Sequence, residues 1–225
     1  MDGPGDYIKI LSTIRDLTEP LNPPVQSFEK SIRSTSLRIL ISVLISSRTK
    51  DAVTKGASER LFSAADTPEK ILSLGEESIS KLIYPVGFFR QKAKNILKIA
   101  EHLARDGNEV PSDMEELTSL PGVGRKTANL VRSLAFGIPS ISVDIHVFRI
   151  SKRLGWASGD KPEIVEEELR ELFPESSWNN VNQTLVGFGQ TICKPVSPSC
   201  DLCTISDKCN YFLEANIITG KNDQS

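Results

Sequence analysis

The spacing of apolar side chains along the chain predicts helices and no sheet. Leu37, Leu40, Ile41 and Leu44 recur at the three- and four-residue intervals that place side chains on one face of a helix. A longer amphipathic helix is predicted over 88–105, where apolar residues follow the same spacing. The sequence contains no alternating strand pattern of useful length and no fixed-period repeat. The pattern therefore predicts an all-α protein.

Capping residues divide the rest of the pattern into further helices. Asp51 is predicted to cap one helix, and Thr67, followed by proline, to cap a short helix that Gly75 ends. Ser112 and Glu115 are spaced as a capping box, so another short helix should begin there. The remaining predicted helices cover 125–136, 145–154, 162–172 and 178–192.

The charge balance is not the one expected of a nucleic-acid-binding protein. The 225 residues include 27 lysines and arginines against 29 acidic residues, a formal net charge of −2. A basic surface is the usual sign of nucleic-acid binding, so any DNA contact must come from a few well-placed groups. No targeting signal is visible, and the most apolar stretch, 37–45, is too short to cross a membrane. These features predict a protein of a reducing compartment with no membrane partner.

The four cysteines of the chain lie close together near its end. They are Cys193, Cys200, Cys203 and Cys209, in the pattern C-x6-C-x2-C-x5-C. Such spacing in an intracellular protein favours one metal centre over two disulfides. Thiolates suit both zinc and iron–sulfur clusters, and neither His102 nor His146 lies nearby. Zinc sites of four thiolates usually pair two short knuckles, whereas this sequence has one, so the spacing favours a cluster and leaves zinc open.

A glycine-containing segment joins two of the predicted helices. It reads LPGVGRKTA over 120–128. Its two glycines allow a sharp turn and a close approach of another backbone, and the amides that begin the second helix suit an anion such as a phosphodiester. A Walker A loop is excluded because Arg125 stands where glycine is required, and a dinucleotide loop because Thr127 does. An ordinary tight helix–helix turn is the alternative.

Two residues near this segment have both a functional and a structural interpretation. Lys126 lies in the first turn of a helix, opposite its apolar face, where the dipole disfavours a cation. Neighbouring positive charge and burial would favour its neutral, nucleophilic form, although a surface lysine that adds solubility fits as well. Asp144 follows an extended apolar run and is expected to cap the next helix. A carboxylate held in this way would also stay ionised and fixed beside a cationic sugar.

Together and in this order, the motifs resemble the helix-hairpin-helix glycosylases of the endonuclease III group. The matching segments are 120–131, Val143-Asp144 and the four-cysteine pattern, and the resemblance extends from about residue 30 to Cys209. It implies two helical lobes with a DNA-binding cleft between them. One is a six-helix barrel lobe over 29–138 that carries the helix-hairpin-helix motif. The other is an iron–sulfur cluster lobe formed by 1–28 and 139–225.

The resemblance also implies roles for individual residues. Lys126 matches the nucleophile of the bifunctional members, and Asp144 matches the catalytic aspartate. The four cysteines match the ligands of a [4Fe–4S] cluster. The residues that match the hairpin contacting the DNA backbone are Gly122, Val123, Gly124 and the adjoining Arg125.

Four further positions are expected to contact DNA, and three of them depart from the usual pattern. Arg48 stands where many relatives carry the glutamine that fills the gap left by an extruded base. Phe88 aligns with a loop whose apolar side chain enters the base stack. His146 follows Ile145, which replaces a frequent threonine. Lys194 is the only basic residue between the first two cysteines, where relatives often have more.

The implied function is that of a base excision repair enzyme. The resemblance implies a bifunctional glycosylase and AP lyase that removes oxidised pyrimidines and cuts the strand by β-elimination. The expected partner is double-stranded DNA with a damaged base or abasic site. The protein should be a monomer in the cytoplasm, with the nucleoid in a prokaryote, or in the nucleus of a eukaryote. The alternatives are a mismatch-specific monofunctional glycosylase for thymine, uracil or adenine, a non-catalytic helix-hairpin-helix DNA-binding protein, and a zinc-bearing interaction protein.

Overall fold

The computed structural model describes residues 4–218, which form twelve α-helices and four short 3-10 helices, with no strand in that range. The all-α class predicted from the sequence is confirmed. The α-helices are α1 (Pro4–Thr18), α2 (Pro24–Ile32), α3 (Ser36–Ser46), α4 (Asp51–Ala64), α5 (Pro68–Ile83), α6 (Phe89–Arg105), α7 (Met114–Ser119), α8 (Arg125–Phe136), α9 (Ile145–Arg153), α10 (Pro162–Leu172), α11 (Trp178–Thr191) and α12 (Asn210–Ile218). The 3-10 helices are Glu19–Leu21, Glu175–Ser177, Cys200–Leu202 and Ser206–Lys208. Over the described range, no helix combines the length and apolar character needed to cross a membrane.

The chain divides into two compact units. The continuous unit is Ser27–Ile138, and the discontinuous unit combines Met1–Gln26 with Pro139–Ser225. The sequence-based boundaries were 29–138 for the first lobe, and 1–28 with 139–225 for the second. Each unit has its own apolar core.

The core of the continuous unit forms around α3. Residues 37–45 of this helix are buried on nearly all sides, with only Arg38 partly exposed. A helix that is apolar all round belongs in the middle of a domain, and α3 packs against α4, α6 and α8. The helix pair α5 and α6 packs alongside. The centre of this unit is therefore fixed by one segment whose apolar character is visible in the sequence.

Two of the sequence-based boundary predictions are wrong in detail, and two are confirmed. Lys50, not Asp51, is the residue before α4, so Asp51 lies in the first turn, where its charge still suits the helix dipole. Asp113, not Ser112, caps α7, because its carboxylate accepts from the amides of both Glu115 and Glu116. Gly75, with φ 71° and ψ 165°, ends the first helical segment of α5 as predicted, and a second segment continues from it to Ile83. The predicted cap at Thr67 is confirmed, since its hydroxyl accepts from the Lys70 amide.

The discontinuous unit is built on α11. The N-terminal helix α1 packs against α11, and α9 packs against both α11 and α10. Gly189 in α11 has a specific role: a Cβ there would stand 2.5 Å from His146 Nδ1 and 2.8 Å from Arg149 Nη2. The absence of a side chain at Gly189 therefore lets α9 approach closely with its polar face toward α11.

Candidate active site

The helix-hairpin-helix motif is formed by α7, the turn 120–124 and α8. Leu120 and Val123 are buried in the core, and the Val123 amide donates to the Leu120 carbonyl at 3.1 Å. Gly122 has φ +81°, a conformation that few residues other than glycine adopt readily. The apolar anchors thus hold the turn against the core, and the glycine lets the chain reverse there.

Gly124 begins α8 with its backbone exposed. It is the N-cap residue, has no side chain to accept from the first-turn amides, and nothing lies within 4 Å of the position its Cβ would occupy. The positive end of a helix dipole and the donors of its first turn make such a place suitable for a phosphate. The hairpin can therefore approach a phosphodiester backbone to hydrogen-bonding distance.

Arg125 and Lys126 occupy the first turn of α8 and both are exposed. This position differs from one sequence-based expectation, because the protein does not bury the Lys126 amine. Ala128 and Val131, on the other face of α8, are buried as expected.

The structure brings together Arg48 and Phe88, which the sequence separates by forty positions. The Arg48 guanidinium carbon lies 5.4 Å from the centre of the Phe88 ring, a cation–π distance. Both residues have positive φ, 54° and 58°, which is uncommon outside glycine. The Phe88 side chain is 64% exposed, so it does not serve as a core residue of this unit.

Lys92, which the sequence analysis missed, lies beneath this pair. Its side chain is 6% exposed, and its ammonium donates to the Ile45 carbonyl at 2.7 Å, to the Ser47 carbonyl, and to Thr49 Oγ1 at 3.3 Å. A signal for it was present in the sequence. Lys92 precedes Ile96 by one helical turn, so it places a charge on the apolar face of α6.

Asp144, in the discontinuous unit, caps α9 as expected. One carboxylate oxygen accepts from the His146 amide at 2.8 Å and from the Val147 amide at 2.9 Å. The carboxylate is partly exposed, and Ile145 beside it is 76% exposed. Two backbone donors therefore fix the carboxylate while leaving part of it accessible. His146 is partly buried, with Nδ1 3.3 Å from Arg149 Nη2.

The four cysteines surround one cavity near the end of the chain. The cavity is small and partly open to solvent, and its apolar wall includes Leu154, Phe188 and Ile205. Burial raises the pKa of the Cys200, Cys203 and Cys209 thiols, and the charges of neighbouring cysteines raise it further. Crowded thiolates need compensating positive charge, so this donor set fits a multinuclear iron–sulfur centre. Over residues 4–218, no three histidine, cysteine or acidic side chains are placed to hold a single metal ion.

Two arginines on α9, also missed from the sequence, hold the cysteine loop. Arg153 donates to Cys193 Sγ at 3.2 Å and to the carbonyls of Lys194 and Pro195 at 2.7 and 3.0 Å. Arg149 donates to the Cys193 carbonyl at 2.9 Å, and burial lowers the pKa of its guanidinium. Their four-residue spacing places both on one face of α9, but only the folded chain shows what that face meets. Lys194 is exposed on this loop.

Comparison with known proteins gives a consistent result. A family model described as HhH-GPD superfamily base excision DNA repair protein matches residues 41–175. The chain is 40% identical over 205 residues to an endonuclease III of Rickettsia felis, covering 91% of this chain and 95% of the relative. It is 42% identical over 190 residues to an endonuclease III of Thermotoga maritima, covering 84% and 89%. A solved structure of an endonuclease III trapped in a covalent intermediate with DNA matches with a TM-score of 0.85 at 33% identity, covering 96% of this chain and 99% of that one.

Proposed function

The chain belongs to the endonuclease III group of the HhH-GPD superfamily of base excision DNA repair proteins, and we propose that it removes oxidised pyrimidines and cuts the strand through a Schiff base on Lys126. A DNA glycosylase with an associated AP lyase activity is the enzyme class of this group. The residue roles, the lesion class and the cofactor that follow are parts of the proposal.

Contact with the DNA backbone is assigned to the hairpin. The exposed backbone at Gly124 and the start of α8 supports this role, with Gly122 and Val123 shaping the turn and Arg125 adding positive charge. Such contacts position a duplex without reading its sequence. This placement of a few donors also explains how a chain with a net charge of −2 can bind a polyanion.

Base removal is assigned to the amine of Lys126. The damaged nucleotide must leave the stack before its glycosidic bond is accessible. The neutral amine then attacks the sugar C1′, the bond from C1′ to the base breaks, and the base leaves with the electron pair and takes up a proton. Loss of the second amine proton and opening of the sugar ring give the Schiff base. Removal of a C2′ proton then expels the 3′ phosphate, which cuts the strand.

Asp144 is assigned the electrostatic role at the same sugar. Positive charge develops on the sugar as the base departs, and a fixed carboxylate stabilises it without reorganising. The two backbone amides that donate to Asp144 hold its carboxylate in place. In this proposal His146, two residues after Asp144, contacts the DNA.

The four cysteines would hold a [4Fe–4S] cluster, one thiolate for each iron. All four cysteines line one shared pocket and none is paired with another, which supports this assignment over paired disulfides. When bound, the cluster would fix the loop after Cys193 by its bonds to sulfur, and the loop would present Lys194 to a phosphate. Arg149 and Arg153 already anchor one side of this loop.

The remaining assignments concern the duplex and the cell. Arg48 would fill the gap left by the extruded nucleotide, and Phe88 would enter the stack beside it, which their exposure and mutual contact support. We expect a monomer acting on duplex DNA in the cytoplasm of a prokaryote or the nucleus of a eukaryote. A monofunctional mismatch glycosylase is disfavoured because it has no need of an amine at Lys126.

Borohydride trapping tests the central assignment. The wild-type protein should form a covalent adduct with a duplex that carries one thymine glycol, and with one that carries one abasic site. Lys126→Gln and Lys126→Arg should form none, and the arginine variant should keep its affinity for the abasic duplex because it keeps the charge. A persistent adduct in Lys126→Arg would overturn the role of Lys126. A panel of single-lesion duplexes would then rank oxidised pyrimidines against uracil and mispaired thymine.

A further inference from the structure

The buried ammonium of Lys92 joins two parts of the chain that are distant in sequence. Its three donors meet the Ile45 and Ser47 carbonyls and Thr49 Oγ1, which uses the full donor capacity of a lysine. Ile45 lies in the last turn of α3, where carbonyls lack helical partners and the dipole favours a cation. Burial lowers the pKa of Lys92 to about 8, while these three oxygens favour the charged form.

The segment that Lys92 holds is linked in turn to a second loop. Thr49 Oγ1 accepts from the Gly87 amide at 3.2 Å. The two backbones lie so close there that a Cβ on Gly87 would stand 2.8 Å from the Arg48 carbonyl oxygen. The second loop is also held from α4, since Arg60 donates to the Leu82 carbonyl at 2.8 Å and to the Tyr84 carbonyl at 2.6 Å.

The hydrogen bonds of Lys92 and Thr49 lie next to Arg48 and Phe88, which contact each other. Both residues are in the left-handed backbone region, a conformation that persists only when surrounding contacts impose it. Arg48 follows Ser47 directly, and Phe88 follows Gly87 directly, so the bonds of Lys92 and Thr49 lie next to both strained positions. Burying a lysine to close a helix end carries a desolvation cost, and here all three of its hydrogen bonds go to the segment from Ile45 to Thr49 that carries Arg48.

We propose that Lys92 is a positioning residue that fixes Arg48 and Phe88 as one rigid wedge, so that both side chains enter the duplex together. Lys92 itself touches no DNA in this scheme. Lys92 acts through Arg48. The base opposite the extruded nucleotide has lost its partner (the orphaned base), and Arg48 contacts it only if Lys92 fixes the loop that carries Arg48. The inference rests on the proposed function of Arg48 and Phe88, and it extends that function to the groups that orient them.

The test compares Lys92→Met with Lys98→Met. Both changes replace a lysine of α6 by an apolar side chain of similar length, but Lys98 is exposed. Thr49→Val is the second variant, because it removes the hydroxyl that joins the two loops while nearly keeping the side-chain shape. If Lys92→Met does not fold, Thr49→Val replaces it in the cleavage and fluorescence assays, with the same expected results.

Cleavage rates on two kinds of duplex distinguish a loss of Arg48 positioning from general damage to the protein. The first has an abasic site opposite each of the four bases in turn, and the second has abasic sites on both strands at the same position, so that no orphaned base is present. We expect Lys92→Met to cut the first duplex between about tenfold and 10²-fold more slowly, with a flattened preference among opposite bases. On the second duplex it should match Lys98→Met within about twofold.

A binding measurement completes the test without catalysis. With 2-aminopurine opposite an uncleavable abasic analogue, saturating wild-type protein should raise the fluorescence, and Lys92→Met should not. Equal behaviour of Lys92→Met and Lys98→Met in fluorescence and in opposite-base preference would overturn the inference, as would an equal loss on both duplexes. Failure of the wild type to trap DNA would instead count against Lys126, and the fluorescence would still decide the role of Lys92.

Discussion

Replacing Gly122 by alanine tests the geometry of the hairpin. The substitution introduces two costs that can be separated. The first is the left-handed backbone, with φ +81°, which costs a residue with a Cβ roughly 1–2 kcal/mol. The second is crowding, because the new Cβ would overlap Asn95 Nδ2 and stand 3.2 Å from Asn95 Cγ and 3.3 Å from Leu44 Cδ1.

The crowding at Gly122 can be relieved only if Asn95 moves. Asn95 Oδ1 accepts from Gln91 Nε2 at 2.9 Å, so rotation of Asn95 gives up a hydrogen bond worth about 0.5–1.5 kcal/mol. Together the two costs predict that Gly122→Ala lowers the free energy of unfolding by about 1.5–3.5 kcal/mol. Gly107 supplies the control, since it has φ +78° with nothing within 4 Å of its Cβ position. Gly107→Ala should therefore lose only the backbone cost, about 1–2 kcal/mol.

Equilibrium urea unfolding followed by circular dichroism measures these differences, and both glycines lie in the same unit. Combining Gly122→Ala with Asn95→Ala should remove the crowding, so that Gly122→Ala costs no more in that background than Gly107→Ala does in the wild type. The reasoning is refuted if Gly122→Ala is no more destabilising than Gly107→Ala, or if Asn95→Ala leaves its cost unchanged.

Three further predictions concern single side chains. Asp144→Asn should change the unfolding free energy by less than about 0.5 kcal/mol because asparagine also caps helices, yet it should abolish most base excision in single-turnover assays; a parallel loss of stability and activity would show that capping is its only role. Arg153→Met should lower the iron content per protein chain and the visible absorbance after purification, because it removes the donor to Cys193 Sγ and to two loop carbonyls; Lys152→Met on the same helix should not, and equal iron in both variants would contradict the role of Arg153. Glu29→Gln should remove a pH dependence of stability: burial raises the pKa of Glu29 to about 7, so the folded protein binds more protons than the unfolded chain between about pH 4.5 and 7. The wild-type unfolding free energy should therefore fall across that window, by no more than about 3 kcal/mol, and an identical slope in Glu29→Gln by urea titration would exclude this residue as the source.

Local sequence patterns were sufficient to predict structure where a segment determines its own conformation. The buried helix α3 follows from its uninterrupted apolar residues, and α8 from its apolar face, because helical periodicity is a property of the segment itself. The cap of α9 by Asp144 could be predicted for the same reason. The gathering of the four cysteines around one pocket was also expected from their spacing.

The sequence could not reveal contacts that depend on distant partners. Lys92 looks like an interruption of an apolar face until the end of α3 supplies its acceptors. In the sequence Arg149 and Arg153 resemble ordinary surface arginines of α9. Only the folded structure shows that they donate hydrogen bonds to carbonyls of the cysteine loop. The helix end at Gly75 was predicted, but a glycine does not indicate that a second helical segment follows it directly to Ile83.

The division of the chain has a consequence for its synthesis on the ribosome. Val25 donates its amide to the side chain of Gln190, 165 residues later, and α1 packs on α11. The continuous unit is finished once residue 138 has emerged, and domains generally fold as units during translation. The first helix must therefore wait, with its apolar face uncovered, until most of the polypeptide exists. During that delay the apolar face of α1 has no partner within its own unit.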